Sequence, residues 1–220
     1  NTNGVDYSSP IQIPGTWNTG YKSISQGYNA TGAIKTNGQL WMWGYNGYGG
    51  LGQNNVTYYS SPVQIPGTTW SQVSMGGNTI NAIKTDGTLW SMGYNGFGMA
   101  GSNNRTTYSS PIQIGGGTDW AYCIAANYLS AAIKTNGTLW IWGDNRYGQL
   151  GLNTGGTGSA YSSPTQIPGT TWSKIVPITQ AATSVDNGCA AIKTDGTLWC
   201  WGKNTEGQLA FPSSSDSRSS

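Results

Sequence analysis

Eight carboxylates and no histidine set the chemical range of this 220-residue chain. Asp86 and Asp195 fall inside a repeated turn phrase, which leaves Asp6, Asp119, Asp144, Asp186, Glu206 and Asp216. Glycoside hydrolysis needs two carboxyl groups flanking one bond. Asp144 and Glu206 sit in equivalent loops of two repeats, so a fold can bring them together; both also read as solvated loop acids. A serine nucleophile lacks its usual imidazole base. The glycines of "GYNGYGGLG" from Gly44 resemble a phosphate loop in composition only, because neither the lysine nor a following helix is present. The three cysteines, Cys123, Cys189 and Cys200, show no metal-ligand spacing. The expectation is no catalysis, no cofactor and no metal.

Binding chemistry is better represented. Tyr45, Asn46 and Tyr48 share one glycine loop, Tyr94, Asn95 and Phe97 the next, and Asn145 and Tyr147 a third. Amides bond sugar hydroxyls and rings stack on sugar faces, which makes these residues candidate glycan or ligand contacts. The same asparagine returns as Asn204, a constancy that equally suits a turn held by its own side chain. A second candidate lies in two insertions. Trp70 to Ala82 and Trp120 to Ala132 are equally spaced, whereas the stretch is four residues longer from Trp17 to Ala33 and seven longer from Trp172 to Ala191. Insertions in repeat proteins map to loops on the binding face. Tyr21, Tyr28, Thr179 and Asp186 are therefore candidate partner-binding residues, expected to adjoin if the ends of the chain meet.

Only 8% of residues are charged and the net charge is +2, without a basic cluster, so a nucleic-acid partner is not expected. No apolar run approaches the ~20 residues of a membrane helix. Three cysteines cannot form a complete internal disulfide set. Cys189 and Cys200 flank one hairpin; pairing Thr194 with Thr197 would set Ala191 opposite Cys200 and leave Cys189 on the diagonal, long for a disulfide. Buried free thiols are expected. The chain opens on Asn1, so processing or a longer parent is also expected.

The elements that position these groups are written four times. "YSSP" begins at Tyr7, Tyr59, Tyr108 and Tyr161. A lone tryptophan follows at Trp17, Trp70, Trp120 and Trp172, and then "AIKT[ND]G[TQ]LW" and the glycine loop. The units run about 1–52, 53–101, 102–152 and 153–210, with a serine-rich tail or linker over 211–220. Each unit offers four extended segments, and the Asn-Gly or Asp-Gly between the last two predicts a two-residue hairpin with a type I′ turn. The final segment is apolar on both faces, as Leu40 and Met42 against Trp41 and Trp43 show, so both faces must be covered. Four-stranded antiparallel sheets stacked through tryptophan describe a β-propeller.

Taken together, the tryptophan, "AIKTDGTLW", "WGxNxxGQLG" and "YSSPxQI" resemble the regulator of chromosome condensation repeat in its bacterial and viral style, over nearly the whole chain to Ala210. The resemblance implies an all-β propeller of four blades whose sequence units are offset from its blades. Read head to tail, "GQLA" followed by "NTNGVDYSSPIQI" reproduces an internal junction, so the expected fold is a single domain over 1–210, its ring closed by Ile11–Ile13 pairing with strands of the last unit; part of a larger ring, completed by missing repeats or by a second chain, is the alternative. It also implies the founding activity, guanine-nucleotide exchange on a small GTPase with chromatin docking. The founding members have seven repeats and often a histidine before the "AIK" strand; this chain has four repeats and no histidine. The function expected from the residues is a non-catalytic binding or assembly module on a virion, fibre or microbial surface, with a protein or glycan partner. An intracellular exchange regulator and a lectin are the alternatives.

Overall fold

The computed structural model describes residues 6–156, 159–180 and 185–210. The tail 211–220 and the tip 181–184 of the fourth-unit insertion lie outside the described residues. The chain is all-β, with no helix among the described residues. The first sheet is β1 (Ile24–Gln26), β2 (Ala30–Ile34), β3 (Leu40–Gly44) and β4 (Tyr59–Gln64), in that order. The second is β5 (Trp70–Met75), β6 (Thr79–Lys84), β7 (Leu89–Gly93) and β8 (Tyr108–Gln113). The third is β9 (Trp120–Ala125), β10 (Leu129–Lys134), β11 (Leu139–Asp144) and β12 (Ala160–Ile167). The fourth has three strands, β13 (Trp172–Gln180), β14 (Val185–Lys193) and β15 (Leu198–Gly202). All pairings are antiparallel, and each of the first three sheets takes its outer strand from the unit that follows. Sequence units and blades are thus offset by one strand.

The central hairpin differs from the expected two-residue turn. Gly38, Gly87, Gly137 and Gly196 have positive φ, but the Asn or Asp before them does not. In the second unit Gly87 N–H donates to Lys84 O, and Lys84 N–H to Thr88 O. That is a type I turn followed by a left-handed residue, the three-residue loop. The extra residue moves the register by one, so Ala190 lies opposite Cys200 and Ala191 opposite Trp199. Cys123, Cys189 and Cys200 are free thiols; the first two are buried as expected, whereas Cys200 is only partly buried.

The turn acid has a measurable consequence. Asp86 accepts from Thr88 Oγ1 at 2.7 Å and Asp195 from Thr197 Oγ1 at 2.7 Å. These side-chain bonds, with the Thr88 and Thr197 amides second, hold both carboxyls below the ordinary value. A carboxyl depressed in the folded state contributes stability above its unfolded pKa, and that stability is lost as pH falls through the folded value. Thermal stability is expected to be flat from about pH 8 to 5 and to fall below about pH 4. The double variant Asp86→Asn/Asp195→Asn adopts the residue that Asn37 and Asn136 already supply, so its acid limb in a melting series should be shallower. An acid limb superimposable on that of the wild type would assign the effect to other carboxyls.

Sheets stack through large side chains. Leu40, Met42, Ile34 and Leu51 of the first unit pack against Trp70, Val73 and Ile80 of the second. Leu139, Ile141 and Leu150 of the third pack against Trp172, Ile175 and Trp201 of the fourth. Trp142 is wholly buried and donates its indole N–H to Met99 O of the preceding unit at 2.7 Å; Trp201 donates to Gln149 O at 3.0 Å. The inner strands are laced by polar side chains. Gln72 exchanges two bonds with the Cys123 main chain, and Ser74 and Ser25 accept from Ala125 N–H and Met75 N–H.

The closing strand is not formed among the described residues. Ile11 and Ile13 stand outside every sheet, 55% and 40% exposed. Ile13 O accepts the Trp17 indole N–H at 3.1 Å, and Gln12 and Ile13 share a cavity with Trp43, so the segment lies against its own unit. Trp199 and Leu198 on the last strand are 48% and 66% exposed, while Trp201 stays buried against the third unit. The seats between units differ at the end of the chain. The last glycine of each internal loop receives a side chain of the next unit: a Cβ on Gly52 would meet Met92 Sδ at 2.9 Å, on Gly101 Trp142 Nε1 at 2.9 Å, and on Gly151 Trp201 Nε1 at 2.8 Å. The fourth such seat is Ala210, left-handed at φ 59° and carrying the Cβ that the other three omit. Trp43, the side chain that a closed ring would bring there, has no glycine to receive it.

Candidate functional site

The glycine loops follow the third strand of each sheet. Their asparagines are not surface groups. Asn46, Asn95, Asn145 and Asn204 are all buried. Asn95 Oδ1 accepts from Ala100 N–H at 2.8 Å, and its Nδ2 donates to Asn104 O and Thr106 O at 3.0 Å each. Asn46 accepts from Leu51 N–H and donates to Asn55 O; Asn145 accepts from Leu150 N–H and donates to Thr154 O. A glycan role for Asn46, Asn95 and Asn145 is therefore corrected: each amide closes its own loop and has no surface left for a ligand. Three lost bonds at ~1 kcal/mol each predict that Asn95→Ala costs about 3 kcal/mol, read as a shift in urea midpoint. A change under about 0.5 kcal/mol would mean that water replaces the amide.

The aromatic residues of the same loops do reach the surface, and they form a row across the units. Tyr45 and Tyr58 lie 4.8 Å apart, Tyr45 and Tyr48 6.4 Å, and Tyr48 and Tyr94 of the next unit 4.9 Å, centroid to centroid. Burial first, then a hydrogen bond with Tyr58, raises the Tyr45 phenol above its ordinary value. Phe97 meets Tyr128 edge-on at 5.2 Å and carries the Arg146 guanidinium at 5.0 Å. Tyr147 carries Lys203 of the fourth unit at 5.2 Å. Tyr48, Phe97 and Tyr147 thus each bridge to the next unit. Asp144 is buried and paired with Arg146 at 2.8 Å, which fixes the cation over Phe97 and occupies the acid that Glu206 would have needed as a partner. Tyr58, Tyr128, Arg146 and Lys203 were not singled out from the sequence, because their neighbours come from other loops.

The two insertions take different forms. Tyr21 and Tyr28 flank opposite ends of β1. Tyr21 is exposed beside Lys22, whose ammonium donates to Ala121 O at 3.1 Å and lies over the Tyr122 ring at 5.1 Å, both in the third unit. Tyr28 adjoins the second unit, its N–H directed at Gly77 O. In the fourth unit the insertion lengthens a hairpin: Thr179 and Asp186 are cross-strand partners in β13 and β14. Their side chains lie outside the described residues.

The sequence profiles of the regulator of chromosome condensation (RCC1) repeat match residues 37–83 and 136–191 in one form, and 21–49 and 178–208 in a second. Together they span more than half of the chain. The chain belongs to the RCC1 repeat family. Its β-propeller architecture is shared with solved RCC1-type structures. Human WBSCR16 superposes with a TM-score of 0.72 at 21% identity, covering 88% of this chain and 50% of that one. Prp20p from Saccharomyces cerevisiae superposes with a TM-score of 0.60 at 14% identity, covering 87% of this chain and 60% of that one. Yeast RCC1 (Prp20) bound to Kap60 gives 0.58 at 15%, with 86% and 57% covered. At these identities the likeness concerns fold, and this RCC1-repeat chain spans about half to three fifths of the length of those proteins. No curated protein sequence matches it significantly. Among the described residues no helix is long and apolar enough to cross a membrane, and no group of three or more metal-ligating side chains occurs.

Proposed function

We propose that the chain is a non-catalytic RCC1-repeat binding and assembly module, displayed on a virion, fibre or microbial surface, which takes its protein or glycan partner on the glycine-loop face. The observation that carries this reading is the row of Tyr48, Tyr94, Phe97 and Tyr147 with Arg146 and Lys203. Aromatic and arginine side chains concentrate binding energy at interfaces. The sparse charge of the chain supports a surface setting, where uncharged polar groups must supply solubility. Absence of catalysis is part of the proposal. Asp144 is spent on Arg146, Asp119 on Lys134, and Asp86 and Asp195 on their turns. The double variant Tyr48→Ala/Tyr94→Ala is expected to lose at least tenfold in affinity on glycan and receptor-ectodomain arrays, about 1.4 kcal/mol, while staying folded with a melting temperature lowered only by the lost Tyr48–Tyr94 contact. Retention of every array signal by that variant would remove the loop face as the site.

A second reading rests on the yeast relative, whose structure was described together with binding to Gsp1p and histones. It would make this chain a nucleotide-exchange regulator. Release of fluorescent GDP from small GTPases is expected to stay at the background rate with micromolar protein. Accelerated release would exchange the two readings.

A further inference from the structure

The third unit breaks the repeat at one place, on the wall of a groove whose counterpart in the fourth unit keeps the repeat loop. In units one, two and four the lone tryptophan donates its indole N–H to the main-chain carbonyl four residues earlier: Trp17 to Ile13, Trp70 to Pro66 and Trp172 to Pro168, at 3.1–3.2 Å. The loops before them read "IPGT" or "IPGTT". The third unit instead reads "IGGGTD" from Ile114, with one residue more and no proline. There the Trp120 indole N–H is buried without an acceptor, in a side chain only 7% exposed.

A second departure changes the contact to the neighbouring ring. The repeat lysine lies over the hairpin tryptophan at 4.0 Å in unit one (Lys35 on Trp41), 3.9 Å in unit two (Lys84 on Trp90) and 4.2 Å in unit four (Lys193 on Trp199). In unit three Asp119 replaces the threonine of Thr69 and Thr171 and draws Lys134 into an ion pair at 3.1 Å. Lys134 consequently stands 5.3 Å from the centre of Trp140. Trp120, Trp140, Gln113, Pro164, Lys134 and Gly116 line a cavity of about 660 Å³, within the usual range for a ligand site. A Cβ on Gly116 would meet nothing within 4 Å, so this wall is open.

We propose that this groove binds an extended, proline-containing peptide of another protein, whose main-chain carbonyl accepts the Trp120 indole N–H. The sister units show the complementary ligand, because Pro66 and Pro168 supply that same carbonyl internally. Aromatic grooves with a tryptophan donor suit polyproline-type segments, which lose little entropy on binding. The inference rests on reading the chain as a binding module and adds to it a site distinct from the glycine-loop face.

The probe is a fluorescein-labelled peptide of sequence Ser-Pro-Val-Gln-Ile-Pro-Gly-Thr-Thr, copied from residues 61–69. Titration into the ¹⁵N-labelled chain is expected to shift the Trp120 indole N–H resonance, assigned by its loss in Trp120→Phe. Trp120→Phe, which keeps a ring, should weaken the peptide at least tenfold by anisotropy. Replacing Gly115–Gly117 with Pro-Gly restores the sister loop and its acceptor; that variant should melt no lower than wild type and lose the peptide. Three results would overturn the inference: no shift of Trp120 with peptide at millimolar concentration, equal binding by the Pro-Gly loop variant, or a shift produced by maltotriose but not by peptide. Retained array binding by a peptide-negative chain would leave the loop-face reading intact.

Discussion

Trp142→Ala is expected to cost about 3–5 kcal/mol of unfolding free energy, the range for a fully buried tryptophan whose neighbours cannot collapse into the space. Its ring fills the contact between the second and third blades, among Ile83, Leu89, Ile114 and Trp120. The loss has a polar part as well, since Met99 O would be left buried without the indole donor. Trp142→Phe separates the two: it keeps most of the ring and removes the bond, and should cost about 1–3 kcal/mol. Urea unfolding followed by circular dichroism reads both. A Trp142→Ala chain within about 1 kcal/mol of wild type would mean that the blades are held by their inner strands and not by the tryptophan layer. Repeat folds gain stability from nearest-neighbour interfaces, so the damage should appear first as separation of units one and two from three and four. Limited proteolysis between Gly101 and Trp120 would report that separation.

Gly76→Ala should be comparably severe, at about 3 kcal/mol, although it adds a single methyl group. Gly76 lies where the second blade meets the third, and a Cβ there would overlap the Ala126 carbonyl group. A main-chain carbonyl cannot swing aside as a flexible side chain does, so the blades must separate locally. Gly116→Ala is the matched control, because nothing stands within 4 Å of its Cβ position. It should be neutral, or stabilising by up to about 1 kcal/mol through the unfolded chain. Equal melting temperatures for the two variants would show that the second and third blades are not in tight main-chain contact.

Local features of this protein are plain in its sequence. The four phrases locate the strands, because alternation, β-branched residues and glycine-bearing turns act within a few residues. Tryptophans on both faces of "LWxWG" require stacked sheets, since so much apolar surface cannot face water. The offset of unit and blade, implied by the family resemblance, holds in every complete sheet. The turn was misread by one residue, because Asp-Gly serves both two- and three-residue loops and only the positive φ of glycine alone distinguishes them.

Whatever depends on a neighbouring unit was decided by tertiary structure. Asn46 and Asn95 look like surface amides beside exposed tyrosines until the loop wraps them, because a polar side chain announces its chemistry but not its burial. The ring closure read from matching chain ends did not form among the described residues. A clue was present in Ala210, which stands where Gly52, Gly101 and Gly151 stand, but its meaning appears only once Met92, Trp142 and Trp201 are seen filling those seats. The aromatic row joins Tyr48 to Tyr94 and Phe97 to Arg146 across blades, through distances that no sequence window contains. Sequence alone determined the strands, their turns and the tryptophan layers, since those follow from local backbone preference and the cost of wetting large rings. Tertiary structure alone decided which side chains face water, which units meet, and that Trp120 is left with a buried donor, since each is settled by the packing of one blade against the next.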